Sequence, residues 1–383
     1  WVSGTKIFIS SGEHDLTDNI VHLVLARLPD APAGPKGLSL FLVPKFYADG
    51  TRSAVHCERI EEKMGIHGSP TCVMRFDEAR CWLVGEVGRG LNAMFVMMNA
   101  ARLHVALQGV GLLDAAWQKA NDYAHERRQM RAPKPAGVKG EPVDLIIEHP
   151  AIKRILDTQR AWVDGSRVLA YETGLALDIA KHHPDEAKRA SAQRWCALIT
   201  PILKSACSEQ GFHGASDCLQ VFGGHGYVSE WGVEQNVRDA RIAMIYEGTN
   251  EIQAIDLLMR KVLADNGQSL QAMLHELSDA LPVNNAHTSQ VNDLFDQLNA
   301  VTQQAVQVST RNDGAITLSW IAGDYLRMAA MALLAWSWVR IEEANPQQNA
   351  RWSTPAKALR AWVLPEFGMR KTLIEQQFAG ATV

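Results

Sequence analysis

The sequence predicts a chain of α+β class, mostly α. It reads as a partial β-domain over residues 1–87, an antiparallel four-helix bundle over 88–265 and a further helical extension over 266–383. Three observations carry that prediction. Short β-branched and aromatic runs, separated by clusters of Gly, Pro, Asp and Asn, fill the first segment. From Leu91 the apolar residues recur at three and four, the period of a helix. After Asp265 the composition turns polar, with Asn284, Asn285 and Gln290, before helical patterning returns.

Taken in order, strands are expected at 6–10, 20–27, 38–44 and 72–76. The glycine-rich stretch 84–91 has the order G-x-x-G-x-G, not the G-x-G-x-x-G of a dinucleotide fingerprint, and reads as a strand-to-helix connection. Helix 91–128 carries Ala and Gly on one stripe, which implies close helix packing. A Pro/Gly/Lys loop follows at 131–141, then helices at 148–181, 187–222 and 250–264. Four helices on short connections argue for an antiparallel bundle. Two more helical runs, near 314–344 and 355–378, form the extension.

Composition excludes several classes. Of 383 residues, 47% are hydrophobic and 21% charged, which is soluble globular usage and not that of a disordered chain. A net charge of −4 makes no electrostatic case for nucleic acid. Six cysteines without a C-x-x-C pair read as buried, reduced thiols in a cytoplasmic protein. The longest apolar run, 328–339, is bracketed by Arg327 and Arg340 and is too short to span a bilayer, so no transmembrane segment is expected. The opening WVSGTKIFIS starts inside a strand-like alternation, and the chain is therefore expected to be the N-terminally truncated back part of a longer protein.

Nucleophile and metal chemistry find little support. No G-x-S-x-G elbow and no H-E-x-x-H occur, His182-His183 face different directions before Pro184, and His225 in its glycine turn reads as structural. No metal is expected. One segment does stand out, 241–253, RIAMIYEGTNEIQ. Glu247 follows a mostly apolar run and precedes Gly248. Flanking Ile245 and Tyr246 would partly desolvate it and raise its pKa into the range of a general base, while Gly248 lets backbone approach a ligand. Asn250 with Gln253 forms a possible capping pair for the helix that follows. A solvated glutamate at a helix start is the competing reading.

Tyr246-Glu247-Gly248-Thr249 resembles the catalytic segment of the acyl-CoA dehydrogenases. In the same order, Met64-Gly65-Ile66-His67-Gly68-Ser69-Pro70-Thr71 is similar to that family's K-M-G-x-x-G-S-x-T, and Arg102 with its Ala/Gly helix to the substrate-side helix. Glu126-Arg127-Arg128-Gln129-Met130 resembles E-R-x-x-F, and Gln220 to Gly224 resembles Q-x-x-G-G. The likeness runs from residue 1 to about 265. The insertion near 131–143, the segment 147–150 and the long helical tail resemble a longer bacterial subgroup, that of 3-methylmercaptopropionyl-CoA dehydrogenase.

The resemblance implies a flavoprotein of fatty-acid β-oxidation. Glu247 would remove the α-proton of an acyl-CoA, and a hydride would pass from the β-carbon to N5 of FAD, giving a trans-2-enoyl-CoA. The backbone N–H of Glu247, with a ribityl hydroxyl, would hold the thioester carbonyl. Some relatives carry the base on the earlier helix, but the matching position here is Ala101. For FAD the resemblance assigns Phe8 and Ser10 to the flavin, and Arg127 to the pyrophosphate across a subunit interface. Gln129, Met130 and His149 would lie nearby, Gln220, Gly223 and Gly224 on the adenosine side, and Thr249 and Glu251 beside the base. For substrate it assigns Asn99, Arg102, Tyr246 and Gly248. Phe8 stands for a family Trp, Met130 for Phe, Asn99 for Asp, and Pro150 for a Gln. A homodimer or homotetramer passing electrons to electron transfer flavoprotein is implied. The family's T-E-P-x-x-G-S-D flavin segment is expected upstream of Trp1. An acyl-CoA oxidase using oxygen and a non-catalytic assembly subunit stay open as alternatives.

Overall fold

The computed structural model describes residues 1–133 and 142–380, so the loop expected over 131–141 is described only at its first three residues. The chain divides into two compact units, Trp1–Ala101 and Arg102–Val383.

The first unit holds six strands in two antiparallel sheets: β1 (Val2–Ser10), β2 (Val21–Arg27), β3 (Leu38–Pro44), β4 (Val55–Ile60), β5 (Thr71–Ala79) and β6 (Trp82–Val84). The orders are β1-β5-β4 and β2-β3-β6. Val24, Phe41 and Val43 of one sheet share a core with Val55, Met74 and Phe76 of the other, so two three-stranded layers bury each other's inner faces. Strands β4 and β6 were not expected. His56, Glu58 and Arg59 give β4 little β-propensity, and it is held by register with β5 instead, Val55 opposite Phe76 and Ile60 opposite Cys72. β6 has only three residues, too few for an alternation to be read.

The second unit is helical. Helix α1 (Gly90–Glu126) enters it at Arg102 and is followed by α2 (Pro150–His182) and α3 (Glu186–Val221). Pro150 starts α2 with the one residue that needs no N–H there, and the Asp185 carboxylate caps α3 by accepting from the Ala187 and Lys188 amides. The small-residue stripe does bring helices close. A Cβ on Gly109 of α1 would lie 2.4 Å from the Cys207 carbonyl oxygen of α3, and one on Gly211 would lie 2.9 Å from the Gly109 carbonyl oxygen. Both obstacles are backbone and cannot rotate away. Gly109→Ala is therefore expected to destabilise the helical unit by about 3 kcal/mol, read as a lowered denaturant midpoint with unchanged slope.

The fourth helix covers the expected 250–264 but changes type along its length. After α4 (Val233–Arg241), α5 (Asn250–Ile255) runs for six residues and continues as a π-helical stretch, Asp256–Val262. Then come α6 (Gln268–Asp279), α7 (Thr288–Ser309), α8 (Gly314–Glu343), α9 (Ala350–Ala358) and α10 (Pro365–Phe378). Helices α4, α6 and α7 were not anticipated. The run 328–339, expected as a buried helix, is buried at every position inside α8. Trp338 donates from α8 to the Ala161 carbonyl of α2 at 2.9 Å, and Tyr325 pairs with Thr302 of α7 at 2.6 Å. The helices beyond 265 thus share one core with those before it.

All six cysteines are free, and burial pushes the thiols of Cys196 and Cys207 up to about 11 and about 12, which leaves them unreactive. Among the described residues no helix is long and apolar enough to cross a membrane.

Candidate functional site

Two features of the helical unit collect most of the residues singled out by sequence. The first is the turn before α5. Its backbone is unusual: Glu247 has φ 56° and Gly248 φ 85°, consecutive residues in the left-handed region. A non-glycine residue there is strained by roughly 1–2 kcal/mol, so surrounding bonds must hold it. They come from two helices. Lys204 of α3 donates from Nζ to the Gly248 carbonyl at 2.8 Å, and Gln253 of α5 donates from Nε2 to the Glu247 and Gly248 carbonyls, each at 3.3 Å. A Cβ at Gly248 would sit 2.8 Å from that Gln253 nitrogen, so the close approach requires glycine.

The expected Asn250–Gln253 capping pair is corrected. Thr249 is the N-cap, its Oγ1 accepting from the Ile252 amide at 3.3 Å. Asn250 lies one residue inside the helix and is buried. Its Oδ1 accepts from Lys204 at 3.1 Å and from Ser208 at 3.0 Å, and its Nδ2 donates to the Ser205 carbonyl at 3.3 Å. Tertiary bonds to α3 thus claim the side chain that would otherwise cap. A hydrogen bond from the Thr249 hydroxyl holds the Glu251 carboxyl below its ordinary range. Tyr246 donates to Gln108 of α1, and burial raises its phenol. Arg102 is buried and faces Asp256 at 3.6 Å. Ile245 is 47% exposed, so the apolar cover expected beside Glu247 is absent on that side of the unit.

Lys204 escaped the sequence reading. Its signal was a lone lysine in the apolar run Ile202-Leu203-Lys204-Ser205-Ala206. It is 0% exposed, and burial, with Arg102 acting the same way, pulls its ammonium down to about 8 against the opposing pull of Glu251 and Glu247. The unfolded chain, with lysine at 10.5, binds that proton more tightly, so stability should rise as pH climbs from about 8 toward 10.5. Comparing denaturant midpoints of the wild type and Lys204→Met across that range checks this, since the variant should lack the increment.

The second feature is a cleft of about 330 Å³ at the meeting of the α1 C-terminus, the α2 N-terminus and the α3 C-terminus. Arg127, Gln129, Met130, His149, Gln220 and Gly223 all line it. The segment after α1 is pinned by short strand-like pairing. The Gln129 amide donates to the Asp144 carbonyl at 3.0 Å and the Asp144 amide to the Met130 carbonyl at 2.8 Å. Asp144, fully buried, also accepts from Arg131 at 2.9 Å and from the Ala132 amide at 2.8 Å; sequence reading missed this anchor as well. His149 Nε2 sits 3.0 Å from the Gln129 carbonyl, so it supports the same segment. Met130, with φ 59°, is turned outward and 70% exposed. One wall is aromatic: Tyr123 stacks on Phe222 at 4.4 Å, and its hydroxyl meets His225 Nδ1 at 2.8 Å, which gives His225 the structural part expected of it.

The cleft offers a cationic group suited to phosphate oxygens. The Arg127 guanidinium is exposed and makes no hydrogen bond or ion pair among the described residues, leaving its fork for a pair of phosphate oxygens. A Cβ at Gly223 or Gly224 would meet nothing within 4 Å, so space is left beside the backbone. Gly224 does not itself line the cleft, and Thr249 and Glu251 lie at the α5 turn. Phe8 and Ser10 belong to the other unit, at the end of β1. There Phe8 has φ 58° at an irregularity of the β1–β5 register and is 68% exposed. The side chain of Asn99 lies outside the described residues.

Residues 88–262 match the family model described as acyl-CoA dehydrogenase, C-terminal domain. The chain is 49% identical over 273 residues to 3-methylmercaptopropionyl-CoA dehydrogenase of Ruegeria pomeroyi, a match covering 70% of this chain and 46% of that protein. It is 38% identical over 283 residues to the broad-specificity linear acyl-CoA dehydrogenase FadE5 of Mycobacterium tuberculosis, covering 70% and 46%. The chain thus spans about half the length of these relatives. An acyl-CoA dehydrogenase from Bacillus anthracis, solved with FAD, shares the fold at a TM-score of 0.73 and 23% identity, over 97% of this chain and 63% of that one.

Proposed function

This chain belongs to the acyl-CoA dehydrogenase family, and from that membership we propose that it serves the FAD-dependent α,β-dehydrogenation of an acyl-CoA thioester to a trans-2-enoyl-CoA. The observation that carries the proposal is the Glu247 turn, where a carboxylate-bearing residue is kept in a left-handed conformation by side chains from α3 and α5.

In this reading the Glu247 carboxylate takes the α-proton, and its backbone N–H faces the thioester oxygen as negative charge develops there. Gly248 admits the thioester to that backbone, while Asn99, Arg102 and Tyr246 are assigned to substrate by the family's motif positions. Arg127 would hold the diphosphate of a neighbouring subunit's FAD, with Gln129, Met130 and His149 shaping the cleft and Gln220, Gly223 and Gly224 on the adenosine side. Phe8 and Ser10 would contact the flavin, and Thr249 and Glu251 flank the base. FAD, when bound, supplies the hydride acceptor. Residues 1–87 are then part of a middle β-domain, 88–265 the family's helical domain and 266–383 an added extension. The working form is a homodimer or homotetramer that hands electrons to electron transfer flavoprotein.

The test is anaerobic mixing of the FAD-loaded protein with a series of acyl-CoAs. Bleaching of the visible flavin band with formation of the enoyl-CoA is the expected result. A flavin that stays oxidised with every acyl-CoA would overturn the proposal.

A further inference from the structure

We propose that Lys204 is a positioning residue for the general base: its ammonium, bonded to the Gly248 carbonyl and to Asn250, sets the backbone from which Glu247 is aimed. The inference rests on the reading of Glu247 as base.

Four observations carry it. Lys204 and Gln253 both donate from their side chains to carbonyls of the strained turn, and the lysine bond is the shorter, at 2.8 Å against 3.3 Å. A charged donor is also roughly twice as strong as a neutral one. Next, Lys204 grips both sides of the Thr249 cap, the Gly248 carbonyl before it and Asn250 Oδ1 after it. Third, packing does not call for a lysine here, since a wholly buried ammonium is destabilising relative to a methionine of similar length. Finally, both acceptors have a second donor, Gln253 for the Gly248 carbonyl and Ser208 for Asn250 Oδ1. Removing the lysine therefore leaves neither oxygen orphaned. What is lost is the charged anchor, and with it the aim of the turn. Three charged groups act on Lys204: Glu247 and Glu251 from the turn and α5, and Arg102 from α1. Since burial holds its ammonium near 8, the anchor weakens from charged to neutral as pH passes that value.

The experiment compares FAD-loaded wild type with Lys204→Met, Lys204→Gln and Glu247→Gln. Base function is read without any net redox step, as deuterium uptake at the α-carbon of an acyl-CoA whose β-carbon is quaternary and cannot be dehydrogenated. FAD content, acyl-CoA binding and the melting temperature are measured alongside. Wild-type exchange should decline through a limb near pH 8. Lys204→Met should exchange more slowly by on the order of 10²-fold, without that limb, while FAD content, binding and melting stay close to wild type. A folded Lys204→Met that exchanges at the wild-type rate overturns the inference, and so does a wild-type profile flat through that range. Should the methionine variant not fold, Lys204→Gln decides: loss of the limb supports the inference, and a limb like that of wild type overturns it. Glu247→Gln separates the two layers. If it exchanges normally, the reading of Glu247 has failed; if it is dead while Lys204→Met is normal, only the positioning has failed.

Discussion

Glu247→Gln is expected to slow flavin reduction by acyl-CoA by ~10²–10⁴ while FAD content and acyl-CoA binding stay near wild type. The argument is one of shape against chemistry. Glutamine keeps the length and polarity of the side chain, and the bonds that hold the turn reach its backbone carbonyls rather than its carboxylate. The left-handed backbone should therefore persist in the variant, and the proton acceptor alone is removed. The position that holds the base in some relatives is Ala101, which cannot accept a proton in its place. Stopped-flow bleaching under anaerobic conditions reads the rate, and the absorbance ratio of flavin to protein reads the cofactor. A variant that bleaches as fast as wild type with every good substrate would remove Glu247 from the mechanism.

Arg127→Ala should weaken FAD retention by roughly 10–100-fold, the scale of losing one charge-assisted pair of hydrogen bonds to phosphate. Stability should hardly change. The Arg127 side chain is exposed, and what fixes this segment is backbone: the Arg127 amide donates to the Tyr123 carbonyl at 2.9 Å, and the Ile146 amide to the Arg127 carbonyl at 2.8 Å. Gel filtration at rising ionic strength, with FAD measured in the protein peak, should show the variant shedding cofactor at salt that the wild type tolerates. Equal retention would place the diphosphate elsewhere. Because Arg127 is proposed to reach a neighbouring subunit's FAD, mixing Arg127→Ala subunits with Glu247→Gln subunits should restore activity at a fraction of the sites.

Much of the architecture was legible. Four long helices, α1, α2, α3 and α8, stand within a few residues of where periodicity puts them, and the glycine stripe on α1 does allow backbone contact with α3. Helices α6 and α7 were obscured by their polar faces. Their apolar faces, Leu270, Met273, Leu274 and Leu277 in one and Val291, Leu294, Phe295 and Leu298 in the other, follow the helical period and were there to be read. Strand β4 was not legible in the same way, because its order comes from a neighbouring strand and not from its own residues.

By itself the sequence determined what depends on neighbours along the chain: the periods of the long elements, the buried run in α8, the motif order that marks the family, and the residue types that could act as base and phosphate ligand. Only the tertiary structure decided what depends on groups far apart in sequence. It gathered Arg127, His149 and Gln220 on one cleft, moved the α5 cap from Asn250 to Thr249, and set Lys204 of α3 beneath Gly248. The physical reason is the same in each case. A buried polar group must find partners wherever packing brings them, and for Asn250 and Lys204 those partners lie more than forty positions away in the chain.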